Sequence, residues 1–281
     1  MIVMQSSPQW KNAETHTINA GGVEYVYRQL GPSTGVPVVF LTHLAAVLDN
    51  WDPRVVDGIA AKHRVITFDN RGVGASSGST PTTIQEMATD AVTFIGALGL
   101  EQVDLFGFSM GGMIAQVIAQ EEPQLVRKLI IAGTGPAGGE GIDRVTHITY
   151  LDTARGLLTR QDPKQFLFFT RTPNGRAAGK QFLARLEERT SDRDKTISVH
   201  SFRAQLKAIH RWGKQQPVDL ARINQPVLVM NGESDRMVPT KNTVDLDRRL
   251  PNSQLVLYPD AGHGGVFQFH EDFVKRALEF L

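Results

Sequence analysis

Ser109 sits between two glycines in Gly107-Phe108-Ser109-Met110-Gly111, after a short apolar run, Val103 to Phe106, and before a helical pattern, Met110 to Gln120. A serine at the apex of so sharp a strand-to-helix turn has a strained backbone. Its neighbours two positions away nearly touch the turn, and glycine has no Cβ to clash there. The hydroxyl is left exposed above the sheet, and the helix N-terminus behind it favours developing negative charge. The bare spacing arises by chance in about one chain in ten of this length, so a glycine-rich turn with an ordinary serine is the competing reading. Context has to decide between them.

A hydroxyl is a poor nucleophile at neutral pH. It needs a base within hydrogen-bond reach, and that base needs an orienting carboxylate. In an open parallel sheet, ligands sit beyond the carboxyl ends of the strands, so candidates should lie just after strands. Ser109 follows the Val103 run, Asp235 follows the run Pro226 to Met230, and His263 follows Gln254 to Tyr258. All three could therefore converge at one edge of one sheet. Two alternatives compete for the acid: Asp235 could merely cap the helix beginning near Pro239, and Asp260 could serve instead. His263 lies in a glycine-rich turn, an unsuitable place for a packed core histidine. His43 reads as structural. His16, His63, His147, His200, His210 and His270 show no metal-binding spacing, so no metal site is expected.

The elements that must position these residues alternate. Thr15 to Asn19 and Val23 to Arg28 read as antiparallel edge strands joined at Gly21-Gly22. Pro37 to Thr42 is a continuous apolar run, the mark of a strand covered on both faces. A helix follows from Trp51 to Lys62, with Asp52 as N-cap and Pro53 at its first position. Arg64 to Phe68 is the next strand, and Thr83 to Leu98 the next helix, with a Thr83-x-x-Glu86 capping box. Val126 to Ala132 is another buried strand. Strand and helix in turn from Pro37 to Ala132 imply a parallel sheet with helices on both faces. From about Ile142 to Gln216 the rhythm changes: helices are expected at Thr146 to Leu158, Pro163 to Phe169, Gly175 to Glu188 and Ser198 to Trp212. The aromatics there, Tyr150, Phe166, Phe168, Phe169, Phe182, Phe202 and Trp212, could face substrate or pack the helices onto the main domain; packing is the commoner use. Alternation resumes at Pro226, with a helix from Pro239 to Leu250, a last strand and a closing helix, Phe267 to Leu281.

With these residues in place, the chain resembles the α/β-hydrolase-fold superfamily over nearly all its length outside the helical stretch. The resemblance rests on Gly107-Phe108-Ser109-Met110-Gly111-Gly112, the Asp69-Asn70-Arg71-Gly72-Val73-Gly74-Ala75-Ser76 loop, Gly232-Glu233-Ser234-Asp235 and Gly262-His263. The order Ser…Asp…His is the family's order. The Ser-Met-Gly-Gly elbow is similar to the esterase, cofactor-free haloperoxidase and carbon–carbon hydrolase branches; dehalogenases and epoxide hydrolases carry aspartate there. The resemblance implies a core domain of residues 1–136 and 218–281 with an inserted helical cap, 137–217. It implies Ser109 as nucleophile, His263 as base, Asp235 as its partner, and an oxyanion hole of the Met110 and Ala45 N–H groups. The family usually has His-Gly after the first buried strand, where this chain has His43-Leu44. The Asp69 to Gly74 loop lacks the Gly-x-Gly-x-x-Gly dinucleotide spacing, and Arg71 reads as forming either an ion pair or backbone bonds that hold the loop.

The composition narrows the classes. At 41% apolar residues the chain can build a substantial core, and its net charge of +1 gives no general affinity for nucleic acid or anionic membrane. With no cysteine, thiol nucleophiles, disulfides and cysteine-held metals are excluded. No stretch reaches transmembrane length, and Met1 to Trp10 lacks the features of a secretory signal, so a cytoplasmic protein is expected. The expected activity is cofactor-free hydrolysis of a small carboxylic ester or lactone. The rivals are perhydrolysis or carbon–carbon cleavage by the same three residues, and a hydrolase-fold receptor with little turnover.

Overall fold

The computed structural model describes residues 9–281. Most of the Met1 to Trp10 stretch, read above for a secretory signal, lies outside them. Among the described residues eight strands form one sheet: β1 (Thr15–Ala20), β2 (Val23–Leu30), β3 (Val38–Leu41), β4 (Val65–Phe68), β5 (Val103–Phe108), β6 (Val126–Ala132), β7 (Val227–Gly232) and β8 (Ser253–Tyr258). Their order is β1-β2-β4-β3-β5-β6-β7-β8. The β1–β2 and β2–β4 pairs are antiparallel and every other pair is parallel. The apolar runs that carry no alternation, β3, β4, β5 and β7, are buried at every residue, as strands covered on both faces must be.

Ten helices complete the described fold: α1 (Pro53–Ala60), α2 (Ile84–Ala97), α3 (Met110–Glu121), α4 (Val145–Thr159), α5 (Lys164–Phe168), α6 (Pro173–Leu186), α7 (Val199–Lys214), α8 (Lys241–Arg249), α9 (Gly265–Gln268) and α10 (His270–Phe280). Side chains alternate across the sheet. Val39, Leu41 and Leu105 pack with α2 and α3 on one side. Val38, Phe40 and Phe106 pack with α1, α9 and α10 on the other. The α/β-hydrolase architecture expected from the sequence is the one observed.

Local chemistry fixes the helix starts. Asp52 accepts the Arg54 N–H at 3.0 Å with Pro53 as the first helical residue. Thr83 Oγ1 accepts the Glu86 N–H at 3.2 Å. Most boundaries shift from expectation by one or two residues, α6 (Pro173–Leu186) and α8 (Lys241–Arg249) among them. The first helix is shorter than Trp51 to Lys62: it runs from Pro53 to Ala60, after a separate 3₁₀ turn at Leu48–Asn50. The closing helix is broken at Phe269, which leaves the helical region at φ −109°, ψ 40°. The Phe269 ring lies parallel on Tyr258, with centroids 4.9 Å apart.

Helices α4 to α7 form an insertion between β6 and β7. It is fastened to the rest by charge pairs at its base. Arg185 of α6 donates to Asp52 (2.6 Å), and Arg54 of α1 donates to Glu188 (2.6 Å). Asp49, already bonded to Arg28, accepts the Asp194 N–H at 2.8 Å.

Candidate active site

The turn at Ser109 is as sharp as its glycines require. Ser109 has φ 57° and ψ −115°, a strained conformation for a residue with a Cβ. A Cβ on Gly107 would meet the Gly111 carbonyl oxygen at 2.4 Å, and one on Gly111 would meet the Leu41 carbonyl oxygen at 1.9 Å. Neither position admits any other residue without moving backbone. The spacing read from the sequence therefore has a steric cause in both neighbours of the turn.

Three residues far apart along the chain meet at the carboxyl ends of β5, β7 and β8. His263 Nε2 lies 2.9 Å from Ser109 Oγ, and His263 Nδ1 lies 2.7 Å from Asp235 Oδ2. A carboxylate only accepts, so Nδ1 carries the proton and Nε2 presents a lone pair to the serine hydroxyl. The other carboxylate oxygen of Asp235 accepts the N–H groups of Met237 (2.8 Å) and Val238 (3.1 Å), which fixes the carboxylate plane. All three residues are buried, Ser109 at 5% exposure and His263 at 2%. Water is therefore a weak competitor for these bonds.

The competing acid is committed elsewhere. Asp260 accepts from the hydroxyls of Thr170 (3.2 Å) and Thr172 (3.1 Å) and from Asn174 Nδ2 (3.2 Å). His43 packs edge-on against Phe108 and Phe168. Its Nδ1 is 2.8 Å from the Leu44 carbonyl oxygen, so that nitrogen holds the proton. Burial pushes its pKa down to about 3, and the ring stays neutral. Arg71 pairs with Asp90 at 2.9 Å, the first of the two readings of the loop.

The two backbone donors differ. Met110 is the first residue of α3, so its N–H has no acceptor within the helix, and none is found among the described residues. The Ala45 N–H is engaged. Ala45 has φ 64°, and its N–H donates to Gln205 Oε1 at 2.8 Å. The expectation of a free donor at Ala45 is thus not met in this structure. Leu44 in place of glycine leaves the loop able to turn, but at Ala45, with a side-chain amide against it.

Residues of the stretch between β6 and β7 pack beside these side chains. Phe168 of α5 lies 5.1 Å from the His43 ring and 5.5 Å from the His263 ring, and its carbonyl accepts the Gly264 N–H at 2.7 Å. Phe168, Phe169, Phe182 and Trp212 are buried in packing, Trp212 with Nε1 donating to Gly135 O. Tyr150 remains half exposed and meets Phe202 edge-on. A cavity of about 240 Å³ lies where Phe169, Thr170 and Arg171 of the insertion face Ser234, Gly262 and His263. Gln205 was not singled out in the sequence. Its signal there is a glutamine on the α7 face that carries Ser201, Ala208, Ile209 and Trp212, all buried, a position where an apolar residue is the rule.

Comparison with known proteins follows the geometry. The family model described as the alpha/beta hydrolase fold matches residues 36–269. A solved alpha/beta hydrolase fold protein from Chitinophaga pinensis is 39% identical, with a TM-score of 0.92 over 97% of this chain and 98% of that one. Est816, described as an N-acyl homoserine lactone degrading enzyme, is 25% identical, with a TM-score of 0.74 over 95% of this chain and all of that one. A provisionally named non-heme chloroperoxidase of Synechocystis is 28% identical over 278 residues, 92% of this chain and 95% of that protein. On the matched family and the architecture together, the chain belongs to the alpha/beta hydrolase fold family.

Proposed function

We infer that the protein is a serine hydrolase that cleaves a small carboxylic ester or lactone through an acyl-enzyme. The observation that carries this reading is the bonded chain Ser109 Oγ, His263 Nε2, His263 Nδ1, Asp235 Oδ2 at 2.9 and 2.7 Å. Ser109 Oγ attacks the acyl carbonyl as its proton passes to His263 Nε2. The carbonyl electron pair moves onto oxygen and is stabilised by the free Met110 N–H at the head of α3. The intermediate collapses, the carbon–oxygen bond to the alcohol breaks, and His263 returns the proton to that oxygen. Water then repeats the sequence on the acyl-enzyme and frees the acid. Asp235 holds the tautomer and balances the imidazolium. Helices α4 to α7 act as a cap that shields these steps from bulk water.

Similarity to proteins named for lactone degradation and esterase activity supports the substrate class. Similarity to a protein named as a haloperoxidase keeps peroxide as a second acyl acceptor in view. Labelling by a fluorophosphonate and sustained release from p-nitrophenyl acetate, both lost in Ser109→Ala, are the expected results. A stoichiometric burst without turnover would point to a receptor instead. Unchanged steady-state rates in Ser109→Ala would remove Ser109 from the reaction. Running the same ester with and without hydrogen peroxide separates perhydrolysis from hydrolysis.

A further inference from the structure

Gln205 is fully buried, at 0% exposure, and it comes from α7 of the insertion into the loop that follows β3. Ser201, one turn earlier on the same face, anchors the helix there by donating to the Gly72 carbonyl at 2.6 Å. The Gln205 amide is held one way round. Its Oε1 accepts the Ala45 N–H at 2.8 Å; the reversed amide would set one N–H against another. This leaves Nε2 buried with no partner. An amide NH2 in that state is costly unless something that accepts hydrogen bonds arrives.

The loop that Gln205 meets lies beside the nucleophile turn. The Ala45 loop leaves β3 beside β5, where Leu41 pairs with Gly107, and the Leu41 carbonyl touches Gly111 at the elbow. Met110, Ala208 and Ile209 belong to one extended core cluster, and Leu44 packs against that cluster. Of the two backbone donors the resemblance implied, Met110 is free and Ala45 is spent on Gln205.

We propose that Gln205 is a catalytic residue: its Nε2 donates to the oxyanion alongside the Met110 N–H, and the Ala45 N–H is the positioning group that aims it. The proposal rests on the acyl-transfer reading above. It gives the backbone at Ala45 a purpose that does not require a free N–H. It also makes the oxyanion hole complete only when α7 is docked, so that activity depends on the insertion being closed.

The test uses the full chain, p-nitrophenyl acetate as substrate and phenylboronic acid as a probe that becomes tetrahedral on Ser109. Gln205→Glu is nearly isosteric, keeps an oxygen for the Ala45 N–H and removes the donor; Gln205→Leu removes both. For each, kcat is expected to fall about 100-fold with KM within about twofold, the scale of losing one oxyanion donor. Affinity for the boronate is expected to fall with kcat, a correlation that loosened packing would not produce. Gln205→Glu serves if the leucine variant does not fold. A rise in kcat/KM for Gln205→Leu would mean that Gln205 only blocks the Ala45 N–H, and would overturn the proposal. So would unchanged kcat, or a fall in kcat with boronate affinity unmoved. If Ser109→Ala also leaves turnover intact, the acyl-transfer reading fails; if Ser109→Ala is inactive and Gln205→Leu is normal, only the role of Gln205 fails.

Discussion

At the residue scale, the elbow trades backbone strain for the placement of one oxygen. Ser109 holds a positive φ with a side chain attached, which costs roughly 1–3 kcal/mol. Comparing two variants that both lack Oγ isolates the strain. Ser109→Gly is expected to be more stable than Ser109→Ala by about 1 kcal/mol in urea melts, since only glycine adopts that φ freely, and both are expected to be inactive. Equal stability would mean that the turn relaxes when the hydroxyl is gone. Asp235 permits a second test. Asn at this site keeps an acceptor for Met237 and Val238 but can present an NH2 group to His263 Nδ1. The imidazole would then carry its proton on Nε2 and could not accept from Ser109. Asp235→Asn is expected to lower kcat by about 10⁴-fold with an unchanged melt; a loss under tenfold would show that the tautomer is set by something else.

At the element scale, the insertion is held by buried charge rather than by apolar area alone. Asp52 both caps α1 and accepts a forked pair of bonds from Arg185 of α6, and its side chain is fully buried. Removing one partner leaves the other charge stranded, at a cost of about 3–5 kcal/mol. Arg185→Met is expected to lose that much in denaturant melts. Arg185→Met combined with Asp52→Leu is expected to recover part of it, less about 1 kcal/mol for the lost cap. Equal losses in the single and double variants would show that the pair contributes little beyond packing. The capping residues Asp52 and Thr83 were legible in the sequence because the N-cap is a local device. The Arg185 partner was not, because it lies 133 positions away.

At the scale of the whole molecule, two buried groups give stability opposite slopes with pH. His43 is neutral in the fold, its pKa pushed down to about 3 by burial. A depressed histidine contributes stability that is fully present above about 6.5 and is lost as pH falls toward the folded value. Asp69 behaves in the other sense. Burial, and then Asp194 beside it, raise its pKa well above the usual carboxylate value; both carboxylates reach the Leu48 N–H, at 3.0 and 3.2 Å. A raised carboxylate contributes stability that is present below about 3.8 and is lost as pH climbs through the folded value. Urea melts across pH should therefore show Asp194→Asn losing less stability than the parent on the alkaline side. Parallel curves would mean that Asp194 does not face a proton on Asp69. This contact joins the segment after α6 to the end of β4.

What the sequence by itself determined was everything that local sterics and periodicity encode. Gly107 and Gly111 announce a turn because any Cβ there would strike backbone. The unbroken apolar runs announce strands covered on both faces, and the strand ends single out Ser109, Asp235 and His263 as neighbours. The tertiary structure decided what depends on side chains meeting across long separations. It engaged Asp260 with Thr170, Thr172 and Asn174, broke the last helix at Phe269 against Tyr258, and set Gln205 against the Ala45 N–H, 160 positions away along the chain. No local pattern encodes such a bond, because it depends on where two separately formed elements come to rest against each other.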